Sequence, residues 1–134
     1  IMSSFDVSAC TDVTGFGLLG HLAEMVCGSG MSVRVFSMQV PLIPEALEFA
    51  AMGLIPAGAY KNREFRESMI EFAETVALSR QDVLVDPQTS GGLLISVAGH
   101  QADELVAALK DAGIHDAAQI GEIRNAPEEK IWVV

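Results

Sequence analysis

The sequence predicts an α+β fold, with helices packed on a mixed, mostly antiparallel β-sheet. Three observations point to it. Apolar residues recur at helical spacing in some segments and alternate with polar ones in others. Clusters of Gly, Pro, Asn and Asp separate the two kinds. Two strand-like runs close the chain with a short turn between them, where a βαβ order would place a helix.

The elements follow in order. Phe5 to Cys10 reads as a short strand leading into a glycine turn. Leu18, Leu19, Leu22, Met25 and Val26 form one apolar helical face, with Gly28 as the stop. Met31, Val33 and Val35 alternate with polar neighbours, so 31–36 is a half-buried strand. Pro44 suits the first turn of a short helix through Ala51. Gly53 to Tyr60 is loop. Phe65, Met69, Phe72 and Val76 mark a second amphipathic helix with Asn62 as its N-cap. Val83 to Val85 reads as a brief strand, and Asp86 to Gly92 as a turn cluster. Leu93 to Val97 is a buried strand, and Gln101 to Ala112 a helix ending at Gly113. Ile120 to Arg124 and Ile131 to Val134 read as a closing hairpin.

Composition bounds the function. A chain of 134 residues, 50% hydrophobic and 19% charged, reads as one globular domain over 1–134. No apolar run approaches the roughly 18 residues of a membrane span, and no secretory leader opens the sequence. A net charge of −10 argues against nucleic acid or an anionic membrane as partner. Cys10 and Cys27 have neither metal spacing nor a disulfide framework and read as small core residues, which fits a reducing, cytoplasmic setting. His21, His100 and His115 lack ligand spacing and read as surface residues, as does Lys61. Strand-like sequence begins almost at Ile1, which suggests a piece of a longer protein.

The chemistry concentrates at Thr11-Asp12-Val13-Thr14-Gly15-Phe16-Gly17. A glycine turn at a helix N-terminus frees backbone N–H groups for a phosphate. Asp12 is placed to hold a hard cation beside it by oxygen ligation. Three other readings stand beside this one. Gly15, Gly17 and Gly20 satisfy the dinucleotide fingerprint, although Phe36 and Ser37 occupy the place of its ribose-binding acid. The turn is also readable as purely structural, with Asp12 and Thr14 capping the helix. A non-catalytic interaction module is the third. The second cluster, Asp86 to Gly92, is either an anion-binding nest or a tight loop feeding the strand at Leu93.

Four segments together resemble selenophosphate synthetase (selenide, water dikinase): ACTDVTGFGLLGHLAEM at 9–25, PAGAYKN at 56–62, DPQTSGGLLI at 86–95 and IGEI at 120–123. The resemblance covers the chain but only the C-terminal half of the family's architecture, a domain of the aminoimidazole-ribonucleotide-synthetase-like superfamily. It implies that ATP, selenide and water give selenophosphate, phosphate and AMP, with Mg²⁺ and a monovalent cation such as K⁺. It implies a homodimeric parent. It also implies a separate N-terminal domain carrying the reactive cysteine or selenocysteine, its lysine and most metal aspartates; neither Cys10 nor Cys27 matches the reactive position. Asp12 matches the one metal aspartate of this half. Thr11, Thr14, Gly15 and Gly17 match the phosphate-side turn, and Thr89, Ser90, Gly91 and Gly92 the second signature loop. No catalytic residue is expected in the chain, and the chain alone is expected to be inactive.

Overall fold

Strand β1, Val7–Asp12, alternates half-buried and exposed residues along its length, the pattern of a strand with one face on the core. Val7, Ala9 and Thr11 turn inward; Ser8, Cys10 and Asp12 turn outward. In the computed structural model, which describes residues 1–134, β1 pairs antiparallel with β4, Leu93–Val97. The two form a sheet of their own.

A second sheet holds β2 (Ser32–Val35), β3 (Ile70–Phe72), β5 (Gly121–Arg124) and β6 (Ile131–Val133), in the order β3-β6-β2-β5. β2 is antiparallel to β5 and parallel to β6, and β6 is parallel to β3. The expected α+β architecture is present, with five helices on sheets of mixed strand order: α1 (Gly17–Val26), α2 (Pro44–Ala51), α3 (Ala57–Arg66), α4 (Leu78–Leu84) and α5 (Ala102–Asp111). Leu19, Leu22, Ala23 and Val26 give α1 its buried face, and Leu94 of one sheet joins Ile131 of the other in the same apolar cluster. Helix boundaries obey local chemistry. Pro44 opens α2, and the glycines beyond α1 and α5, Gly28 and Gly113, have φ of +76° and +91°.

Several expectations need correction. No helix runs from Asn62 through Val76; α3 starts at Ala57, inside the expected loop, and β3 follows it. Ile70 and Phe72 satisfy a strand period as well as a helical one, and the parallel ladder to Ile131 and Val133 decides for the strand. Asn62 therefore lies inside α3 and caps nothing. Val83 and Leu84 end α4 instead of forming a strand. The closing hairpin does not form, because β2 stands between β5 and β6 and pairs with both. β1 runs two residues further than expected and includes Asp12. Cys10 is exposed on the outward face of β1, and Cys27 is exposed just past α1.

Candidate functional site

Asp12 and Leu93 are direct partners in the β1–β4 ladder, so the segments leaving that end of the sheet run side by side. Val13 N–H donates to Gly92 O at 2.9 Å, and Gly91 N–H donates to Val13 O at 3.0 Å. Thr14 O accepts from Gly17 N–H and from Gln88 N–H, both at 3.0 Å. The two loops singled out in the sequence are one hydrogen-bonded unit.

Two glycines are required by this contact. Gly17 has φ +70°, and a Cβ there would sit 2.8 Å from Asp86 O. A Cβ on Gly91 would sit 2.8 Å from Val13 O. At Gly15 and Gly92 an added Cβ would meet only open space; Gly92 is accounted for by its φ of +82°, which favours glycine, and Gly15 by neither packing nor φ. The N–H groups of Gly15, Phe16, Thr89, Ser90 and Gly92 donate to no backbone carbonyl.

Asn62, which sequence reasoning took for a cap, braces the unit from α3. Its amide donates to Gly15 O at 2.9 Å and to Val85 O at 3.0 Å, using both donors. Beside it, the exposed rings of Phe16 and Phe65 stack with centroids 6.4 Å apart. These rings, with Gly58, Lys61 and Glu64, line an open groove of about 590 Å³. Nothing in the sequence alone links Phe65 to the glycine turn; only the packing of α3 on α1 does.

The capping reading is overturned. The N-cap of α1 is Phe16 in a helical conformation, with no side-chain cap bond. Asp12 is exposed at the mouth of the unit. Thr14 Oγ1 lies 2.9 Å from His21 Nε2, and His21 Nδ1 lies 2.9 Å from Glu24 Oε2. His21 is not a surface residue: it is 7% exposed. Helical side chains lean toward the helix N-terminus, which carries this ring back over the turn, and both ring nitrogens find partners. His100 and His115 are exposed, as expected.

Asp86 is the other polar group drawn in. Its Oδ1 is buried without a hydrogen-bond partner. Burial pushes its carboxyl above the ordinary range, and the Gln88 amide opposes that shift. The chain brings no three His, Cys, Asp or Glu side chains together as a metal cluster. The side-chain donors this segment carries, the Asp12 carboxylate on the outward face of β1, the Thr11 hydroxyl on its inward face and the Thr14 hydroxyl in the turn, are hard oxygens. They fit a share of a Mg²⁺ shell and not a soft-metal site.

The dinucleotide reading fails on topology. Its fingerprint needs a helix that crosses to a parallel neighbour of the first strand, whereas β1 and β2 lie in different sheets and β1 has an antiparallel partner.

A α+β chain whose glycine turn and second loop close one end of a two-stranded sheet has relatives among known proteins. The family described as "AIR synthase related protein, C-terminal domain" matches residues 1–134, and the chain belongs to it. Within that class it is similar to the selenide, water dikinase of Pelobacter propionicus, 57% identical over 133 residues that are 99% of this chain and 38% of the relative. The selenide, water dikinase of Treponema denticola is 48% identical over 137 residues, 99% of this chain and 38% of the relative. That of Clostridioides difficile is 47% identical over 130 residues, 97% and 37%. The chain therefore spans about two-fifths of the length of the curated relatives it matches. No helix is long and apolar enough to cross a membrane.

Proposed function

We propose that the chain is the C-terminal domain of a cytoplasmic selenide, water dikinase and that the joined loops face the phosphates of ATP. The observation that carries this reading is the exposed Asp12 carboxylate, uncapped and set against two loops with unspent N–H groups. Identity of 57% to a selenide, water dikinase supports it. The overall reaction makes a selenium–phosphorus bond at the expense of an ATP phosphoanhydride; water takes up the second phosphoryl group, leaving AMP and phosphate.

Phosphoryl transfer needs mainly positioning and charge neutralisation. Asp12 would contribute one oxygen ligand to Mg²⁺, which when bound neutralises phosphate charge. Thr11, Thr14, Gly15 and Gly17 would line one side of the polyphosphate and Thr89, Ser90, Gly91 and Gly92 the other; the unspent N–H groups of Gly15, Thr89, Ser90 and Gly92 would donate to it, while Gly17 and Gly91, whose N–H groups are already spent, hold the two loops together. The remaining metal carboxylates, the selenium-handling cysteine or selenocysteine and its lysine would come from an N-terminal domain of the parent, together with most of a homodimer interface. A monovalent cation such as K⁺ would assist. Exposed Phe16 and Leu93 border the loops and are suited to meet that domain.

The test is selenide-dependent AMP formation. The full-length parent should turn over with ATP and Mg²⁺, and the 134-residue chain alone should not. Turnover by the chain alone would overturn the proposed division of labour. A parent that binds ATP without selenide-dependent turnover would overturn the dikinase reading.

A further inference from the structure

His21 is a buried polar group that this reading leaves without a task. It joins a surface carboxylate to the site: the Glu24 side chain is 43% exposed and that of His21 9%. The Phe16 ring covers it at 5.5 Å. The Thr14 backbone cannot swing freely, because its carbonyl holds both Gly17 and Gln88.

The partners decide which ring nitrogen bears the proton. An ionised carboxylate only accepts, so the proton facing Glu24 belongs to Nδ1. In the neutral ring Nε2 is then an acceptor, and the Thr14 hydroxyl must donate to it. The one hydroxyl proton of Thr14 is spent inward, and only oxygen lone pairs remain for whatever lies outside. A phosphate oxygen is itself an acceptor and gains nothing from such a group; a hard cation does.

We propose that His21 is a positioning residue: held as its Nδ1-protonated tautomer by Glu24, it makes the Thr14 hydroxyl a pure acceptor that faces the cation beside Asp12. The proposal rests on the Asp12 reading above and moves Thr14 from the phosphate side of the site to the cation side. The opposite tautomer would make the ring donate to Thr14 and would release the hydroxyl proton toward phosphate.

Nitrogen-15 NMR of the histidine rings in the 134-residue chain at pH 8 reads the tautomer directly. The expected result is an Nδ1-protonated pattern for His21. Thr14→Val should shift the His21 Nε2 resonance, and Thr14→Ser should restore it. In the full-length parent, which would supply the remaining metal carboxylates, Mn²⁺ alone and inorganic phosphate alone then serve as probes. Thr14→Val should weaken Mn²⁺ broadening around Asp12 by about tenfold in affinity, the scale of a lost supporting interaction at a metal site. It should leave the phosphate response at 89–92 in place. An Nε2-protonated or doubly protonated ring overturns the proposal, as does a Thr14→Val variant that keeps Mn²⁺ and loses phosphate. If wild type binds Mn²⁺ normally and Thr14→Val has no effect on it, the role of Thr14 fails while Asp12 stands. If Mn²⁺ broadens nothing near Asp12 in wild type, the Asp12 reading fails and takes the cation-facing role of Thr14 with it.

Discussion

In the four-stranded sheet Val33, Val35, Ile131 and Val133 are each 3% exposed or less, whereas β1 of the two-stranded sheet holds no fully buried residue. The smaller sheet is a single antiparallel ladder and the larger one mixes parallel and antiparallel ladders, but the difference that matters here is what covers them. The larger sheet buries its inner strands β2 and β6 in apolar packing, with β5 as a more exposed edge, and these inner strands hold much of the core together. The smaller one keeps an outward row, Ser8, Cys10 and Asp12, and ends in the joined loops. Groups that must reach a charged ligand cannot also be sealed from water without a large desolvation cost. The comparison therefore separates residues that carry stability from residues that carry chemistry, and substitutions in each region should show it.

The largest effect on folding should come from the inner strands of the larger sheet. Ile131→Ala empties a fully buried position and should cost about 2–5 kcal/mol in urea denaturation. Leu93→Ala, at a position 61% exposed next to the loops, should stay within about 0.5 kcal/mol. Equal losses at the two positions would break the comparison.

Asp12→Asn should invert that pattern. In the full-length parent it should lower ATP turnover by about 10²-fold or more, on the scale of lost electrostatic stabilisation in a transition state. The melting temperature should move by no more than about 2 °C. Activity within a few-fold of wild type would remove Asp12 from the site.

Gly17→Ala tests the contact between the loops. The positive φ and the 2.8 Å approach to Asp86 O should cost about 1–3 kcal/mol. Gly15→Ala, which meets nothing within 4 Å, should cost clearly less in the same thermal melts. A reversed order would mean that the loops are not held together as described.

The smallest effects are pH effects of opposite sign. Glu129 accepts from Gly28 N–H at 3.0 Å and Gly30 N–H at 2.8 Å, and these bonds hold its carboxyl below the ordinary range. A lowered folded pKa contributes stability above the unfolded value, and that contribution is lost as pH falls through the folded one. Glu129→Gln should therefore flatten the acid limb of the stability curve. Asp86 is shifted the other way by burial. Its contribution is full below the unfolded value and is lost as pH rises through the raised folded value. Asp86→Asn should thus raise stability slightly at pH 7. Urea titrations across acid and neutral pH would show whether the two slopes differ in sign.

Much of the site was legible in the sequence. The glycine turn opening α1 and the strand at Leu93 follow from local patterns, whereas the pairing of β1 with β4, between residues about eighty positions apart, does not. The histidine was not. Its polar neighbours along α1 suggested solvent, and nothing in the spacing from Thr14 to His21 announces a hydrogen bond across the turn. Asn62 carried a plausible but wrong local role, because a cap and a long-range brace use the same amide.

What the sequence alone determined is what short-range chemistry controls: where Pro44 starts a helix, where Gly28 and Gly113 end one, and that Val33 and Val35 of β2 face the core. Steric limits on φ and the period-two pleat act within a few residues, so they can be read along the chain. The tertiary structure decided whether 70–72 is helix or strand, which partner β6 chose, and what Asn62 and His21 touch. The ladder from β3 to β6 joins residues about sixty positions apart. Its stability comes from burying Ile70, Ile131 and Val133 in one shared core, a gain that no local window contains.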